Sequence, residues 1–197
     1  MNHTGTQQVI TYIDGFNLYY GLKSKYGRKY IWLNVEALSA SLLKQGQVLK
    51  KVKYFTAMIR HNPNKEKRQR TYISALKTLP NTEIYYGKYL TNQHTCPNCG
   101  NTENIPSEKM TDVNIATRLL TDAFINAFDV AIVISADSDL TGPIKMVKQL
   151  FINKKVVSAF PPNRDSFDLK RVASAYFRIG RQKFSKSQFP QIMQLPN

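Results

Sequence analysis

The chain has 197 residues and a mass of 22.6 kDa; 42% of it is hydrophobic, and 28 Lys and Arg against 13 Asp and Glu leave a net charge of +15. This length suits one compact domain burying roughly two thirds of its unfolded surface, and 11 Tyr, 10 Phe and 1 Trp supply core material that excludes global disorder. Two cysteines exclude a disulfide scaffold, and no apolar run approaches the ~18 residues of a membrane span.

The opening MNHTGTQQ has neither the basic flank nor the apolar stretch of a secretion signal, so the expectation is a cytoplasmic protein without a membrane partner. Excess positive charge attracts polyanions, which makes RNA, single-stranded or structured, the first partner to consider and DNA the second. The charge is organised along the chain. From Lys44 to Lys77 there are ten basic residues and one acid, Glu66, and from Lys145 to Lys186 eleven basic residues and two acids; between Asp112 and Leu140 five Asp oppose only Arg118.

In chain order, Val9–Ile13 (VITYI) reads as a buried strand that ends at Asp14, with Gly15 suited to a turn. The segment from Leu33 has helical spacing, and KVKYFTA from Lys51 alternates as a strand. His61 to Leu79 starts with turn chemistry and becomes a helix with Tyr72, Leu76 and Leu79 on its apolar face. TEIYYGKYL from Thr82 suggests a strand, and residues 92–107 form a nonregular insertion. From Glu108 a second long helix is predicted, with Ala116, Leu119, Ala123 and Phe124 on one face and Asp112 in its early turns. Val130–Ser135 is a fully buried strand followed at once by ADSD. A helix from Leu140 tolerates Pro143 in its first turn. A strand from Lys154 and a short helix near Phe167 complete the pattern. Alternation of this kind predicts an α/β fold, a mainly parallel sheet covered by helices. The expected organisation is an N-terminal extension at 1–8, a single domain at 9–180 carrying the insertion at 92–107, and a basic C-terminal arm at 181–197.

Asp14, Asp112, Asp137 and Asp139 fall at two strand ends and one helix start, positions that an open α/β sheet gathers in the crevice beyond its strands' carboxyl ends. Clustered carboxylates repel one another, and oxygen-rich clusters suit Mg²⁺ or Mn²⁺, ions that orient water and neutralise charge on a phosphate. Glu108, four residues before Asp112, would share its helix face. Asn17 could hold a phosphate, a water or one of the acids, and Ser138 could bond a phosphate or cap the next helix. Each Asp also has a structural reading: Asp137 or Asp139 as a helix cap, Asp112 as a first-turn acid, Asp14 as a loop stabiliser.

YIDGFN at Tyr12–Asn17, EKMTD at Glu108–Asp112 and SADSD at Ser135–Asp139 resemble, in order, the three signatures of the NYN family, the branch of the PIN-like nuclease superfamily that includes LabA-like or DUF88 proteins. The similarity spans roughly residues 9 to 175. It implies a PIN-like three-layer α/β/α sandwich and a Mg²⁺- or Mn²⁺-dependent endoribonuclease using Asp14, Asp112, Asp137 and Asp139, with Asn17 and Glu108 matching further family positions. Ala136 replaces the usual glycine before the last DSD, and Leu140 stands at the position of the common aromatic or bulky residue after it. A noncatalytic RNA-binding or regulatory NYN module is the competing reading.

Cys96 and Cys99 form half of a zinc knuckle and would need two more ligands for Zn²⁺; a reduced loop and redox chemistry are the alternatives. Lys65, Lys67, Arg68 and Arg70, with Lys170 and Arg171 further on, could track a nucleic-acid backbone, and Tyr19, Tyr20, Tyr26, Tyr30 and Trp32 could stack on unpaired bases or fill the core. A homodimer is compatible with the sequence, which carries no self-complementary pattern.

Overall fold

The structure, a computed structural model, describes residues 5–60, 62–95, 97 and 99–191, with side chains throughout except at 89–95 and 103–108. Chain order gives β1 (Gln7–Asp14), α1 (Gly15–Tyr26), α2 (Val35–Ser41), β2 (Gln47–Thr56), α3 (Pro63–Lys77), β3 (Thr82–Tyr86), β4 (Lys88–Thr95), β5 (Thr102–Lys109) and α4 (Thr111–Phe124). There follow β6 (Val130–Ile134), a 3₁₀ turn (Ser138–Leu140), α5 (Thr141–Leu150), β7 (Lys155–Phe160), α6 (Phe167–Val172), β8 (Ala175–Arg178) and α7 (Arg181–Lys186).

Six strands build one parallel sheet in the order β3-β2-β1-β6-β7-β8. Sidedness follows the two-residue period of a strand. Val9 and Ile13 of β1 and Val52 and Tyr54 of β2 face one core with Leu18, Leu22, Val35, Leu38 and Leu76 of α1, α2 and α3. Ile10, Tyr12 and Phe55 face the other with Ile115 and Leu119 of α4, Ile144 and Val147 of α5 and Leu169 of α6. Each such fully buried aliphatic side chain contributes about 1.5–3 kcal/mol, so the α/β/α sandwich is held from both faces of the sheet. The chain turns one way from β1 to β2 and the other way from β6 to β7. β1 and β6 therefore flank the switch point, where a parallel sheet opens a crevice at its carboxyl edge.

Several predicted elements differ from those found. Gly15 opens a twelve-residue helix instead of a turn, because Asp14 caps it by accepting from Asn17 N at 2.9 Å. The glycines of α1 serve close packing: a Cβ on Gly15 would lie 2.6 Å from the Tyr54 ring and 2.7 Å from the Phe55 carbonyl, and one on Gly21 2.7 Å from the Pro162 carbonyl. The expected nonregular insertion is largely an antiparallel hairpin, β4 with β5, which pairs Lys88 with Lys109 and carries the cysteine segment at its tip.

That hairpin also overturns the early start of α4. Glu108 is a strand residue opposite Tyr89, and Met110, in the left-handed region at φ 76°, separates β5 from the helix, so Glu108 does not share a helical face with Asp112. The buried stripe of α4 runs through Ile115, Leu119, Asp122 and Ala123; Phe124, about 100° further round, is 78% exposed. Beyond the expected elements, β8 adds a sixth parallel strand at the edge. Residues 181–190, expected in an arm, pack on the domain: Phe184 and Phe189 are buried, Leu33 bridges to Gln188, and Trp32 Nε1 donates to the Pro190 carbonyl at 2.9 Å. Two aromatic side chains in that short stretch supply the apolar surface that ties it down. Residues 192–197 lie outside the described residues.

Candidate metal centre

Asp14 ends β1 and is 5% exposed. Its Oδ1 accepts from Asn17 N and its Oδ2 from the Ser135 hydroxyl at 3.0 Å, across 121 residues of sequence. Ser135, directly after β6, is fully buried and also accepts from Asp137 N at 3.1 Å. Asn17 Oδ1 in turn accepts from Ala136 N at 3.2 Å. One turn of α1 and the ADSD turn are thereby fastened to each other, and both carry an acid.

Asp137 caps the 3₁₀ turn by accepting from Asp139 N at 3.0 Å, and Asp112 stands in the first turn of α4. Carboxylate oxygens of Asp14, Asp112 and Asp137 all lie within 4.8 Å of one another; among the described residues no other group of three or more His, Cys, Asp or Glu is so placed. The structural and chemical readings of these acids thus coincide, since Asp14 and Asp137 are caps and members of the triad together. Three like charges at this spacing repel by about 3 kcal/mol per pair at an effective dielectric of about 20. A nearby helix N-terminus returns only about 0.3–1 kcal/mol. A cation would offset the difference, and an all-oxygen donor set with two half-exposed members fits a hard divalent ion.

Asp139 is exposed and outside the triad, although its backbone N–H orients Asp137. Ser138 is exposed beside it. The Glu108 side chain, like Cys96, lies outside the described residues; Cys99 is an exposed thiol at the hairpin tip, so the expected zinc ligand pair is described only in half. Ser135 was the residue missed by motif reading. Its signal is a lone hydroxyl closing the otherwise apolar VAIVI strand. Tyr54, buried beneath Gly15, is held protonated far above the ordinary phenol range, by burial first and by the Asp14 charge second, which removes it as a base.

The expected basic residues divide. Lys65, Lys67 and Arg68 of α3 line a cavity of about 520 Å³ that shares Gly15, and hence the neighbourhood of Asp14, as part of its wall. Arg70 is 4.0 Å from Glu66. Lys170 and Arg171 of α6 are engaged with Asp165 at 2.7 Å and with Asp168 at 3.4 Å. Of the predicted stacking residues, Tyr30 is a core side chain, whereas Tyr19, Tyr20 and Trp32 line the same cavity as the α3 cations.

A six-stranded parallel α/β/α sandwich with acids gathered at the switch point of its carboxyl edge defines a PIN-like protein. The chain belongs to the NYN domain family, whose profile matches residues 8–180, and NYN domains are a nuclease-like group within that superfamily. Among solved structures it is similar in fold to a protein of unknown function from Vibrio parahaemolyticus, VPA0982, with a TM-score of 0.65 and 19% identity over 92% of this chain and 98% of that one. No curated protein matches the chain. Among the described residues no helix is long and apolar enough to cross a membrane.

Proposed function

We propose that the chain is a Mg²⁺- or Mn²⁺-dependent endoribonuclease of the LabA-like, DUF88 branch, acting in the cytoplasm. The observation that carries this reading is the convergence of Asp14, Asp112 and Asp137 within 4.8 Å at the sheet's carboxyl edge. These three would hold the ion, with Asp139 reaching it through solvent. When bound, a divalent ion there supplies Lewis acidity, charge neutralisation and an activated water for phosphodiester hydrolysis.

The protein's own residues do the rest. Ser135 and Asn17 fix the two acid-bearing turns, so the carboxylates need no reorganisation when the substrate arrives. Lys65, Lys67 and Arg68, which have no carboxylate partner among the described residues, line the cavity that includes Gly15 and would attract the phosphate chain. A zinc ion at Cys96 and Cys99 would require two ligands from elsewhere, such as a second hairpin.

The competing reading, a noncatalytic RNA-binding module, draws on the capping roles of Asp14 and Asp137, which give these acids a purpose without an ion. Incubation of purified protein with single-stranded RNA, duplex RNA and single-stranded DNA, in Mn²⁺, Mg²⁺ or chelator, separates the two. The expected result is divalent-dependent RNA cleavage leaving 5′ phosphates, lost in Asp112→Asn by more than the roughly 10- to 100-fold that removal of a mere outer partner costs. Equal cleavage by wild type and Asp112→Asn would remove the triad from the chemistry. Binding of RNA without turnover under every condition would favour the module.

A further inference from the structure

The cavity that includes Gly15, the residue after Asp14, carries aromatic side chains the cleavage chemistry leaves unused. Its lining includes Phe16 and Tyr20 from α1, Trp32 from the following loop, and Tyr72 from α3. The Phe16 and Tyr20 rings are nearly parallel, 19° apart at 6.2 Å between centroids, and Tyr20 is 47% exposed. Tyr72 is fixed by donating its hydroxyl to the Leu33 carbonyl at 2.8 Å, and the Trp32 indole is fixed through Pro190. Trp32 and Tyr72 thus line the cavity with their polar ends tied down.

Around the rings stand Lys23, Arg28, Lys65, Lys67 and Arg68, and among the described residues no acid belongs to the lining. The volume of about 520 Å³ falls in the range of small-ligand sites, about 300–1,000 Å³. A purely apolar occupant would leave five cations without purpose, and an inorganic anion would leave the rings without one. A flat aromatic group attached to phosphate satisfies both. A base held in a duplex is paired and stacked, so it must be unpaired to enter.

We propose that this cavity receives an unpaired nucleobase of a single strand, stacked on the α1 rings, while an adjacent phosphate of that strand lies at the Asp14–Asp112–Asp137 triad. Gly15 makes the two sites neighbours, being the residue after Asp14 and part of the cavity wall. This deepens the nuclease reading by naming single strands or unpaired loops as the substrate class; base capture itself needs no cleavage.

Trp32 is the chain's single tryptophan and lines the cavity, so its emission reports occupancy directly. The full chain in chelator is titrated with uridine and adenosine monophosphates, a tetranucleotide RNA, ribose 5-phosphate, a blunt RNA duplex and a hexaglutamate peptide. The expected result is saturable change with the mononucleotides and the tetranucleotide only. It survives in Asp112→Asn, and tetranucleotide affinity falls about 5- to 150-fold in Tyr20→Leu, the loss typical of one base stacked on one ring. Tyr20→Leu keeps apolar bulk at a half-exposed position, and circular dichroism checks its fold.

Equal response to ribose 5-phosphate or hexaglutamate would reduce the site to charge attraction and overturn the proposal. So would wild-type affinity in Tyr20→Leu, or an emission change that tracks protein concentration alone, which would mark a surface for a second copy. Nucleotide binding with no cleavage in Mn²⁺ would sustain the cavity and defeat the nuclease. Cleavage with no emission change and an unaltered KM in Tyr20→Leu would do the reverse.

Discussion

Ser135 carries more of the site than its size suggests. A single buried hydroxyl donates to Asp14 and accepts from Asp137 N, so it sets the spacing of two acids whose repulsion would otherwise part them. Ser135→Ala removes both bonds at the cost of one oxygen. The expected outcome is a roughly 10- to 100-fold weaker divalent ion, read as the Mn²⁺ concentration for half-maximal effect, with thermal stability in chelator changed little by comparison. Unchanged ion affinity would make Ser135 an ordinary core residue. At this scale the sequence was informative where chemistry is expensive. Asp14, Asp112 and Asp137 stood out because carboxylates at strand ends have few inexpensive explanations, whereas one serine after five apolar residues looks like any strand terminus. Asp139 shared the motif but was placed on the exposed side of the turn by a geometry that spacing does not encode.

Among elements, the acid-rich segment proves to have two uses. Asp122, on the buried stripe of α4, receives the Tyr12 hydroxyl at 2.6 Å and lies 2.7 Å from Lys53 of β2, both charges nearly enclosed. This pair ties α4, and with it Asp112, to the two strands beneath. Burial, reinforced by the Asp122 charge, also drives the Tyr12 phenol far above its usual range, so the hydroxyl stays a donor. Asp122→Ala leaves Lys53 enclosed with Glu83 at 3.9 Å as its one carboxylate among the described residues, and an expected loss of about 3 kcal/mol in urea unfolding follows. Replacing the whole group, Tyr12→Phe with Lys53→Met and Asp122→Leu, is expected to restore most of that stability; a triple variant as weak as the single one would contradict the account. Element types were legible where one signal dominated, an apolar run in β1 and β6 and a helical period in α3. α1 was hidden because Gly15 and Gly21 look like turn residues while in fact they admit Tyr54 and Pro162. The hairpin was hidden because Cys, Pro, Asn and Gly at its tip dominate a segment whose strands are mostly polar.

For the molecule as a whole, the +15 charge becomes an arrangement: Lys65, Lys67 and Arg68 of α3 line the cavity that includes Gly15, while Lys170 and Arg171 of α6 are matched by Asp165 and Asp168. RNA affinity in chelator is therefore expected to fall steeply with salt, and Lys67→Glu with Arg68→Glu to flatten the log–log slope by about 0.7 per lost phosphate contact. Lys170→Glu with Arg171→Glu is expected to change it less, and the opposite ranking would move the binding face. The parallel topology was readable from alternation of strands and helices, but the strand order, which brings residue 14 beside residue 135, was not. That order has a consequence in time. β1 is synthesised early and its partner β6 more than a hundred residues later, and parallel pairing over such separations forms slowly. Asp137 cannot join Asp14 until more than two thirds of the chain has been made and β6 has entered the sheet. A growing chain still on the ribosome, surrounded by RNA, thus carries the cations proposed to hold RNA before it has assembled the acids proposed to cut it.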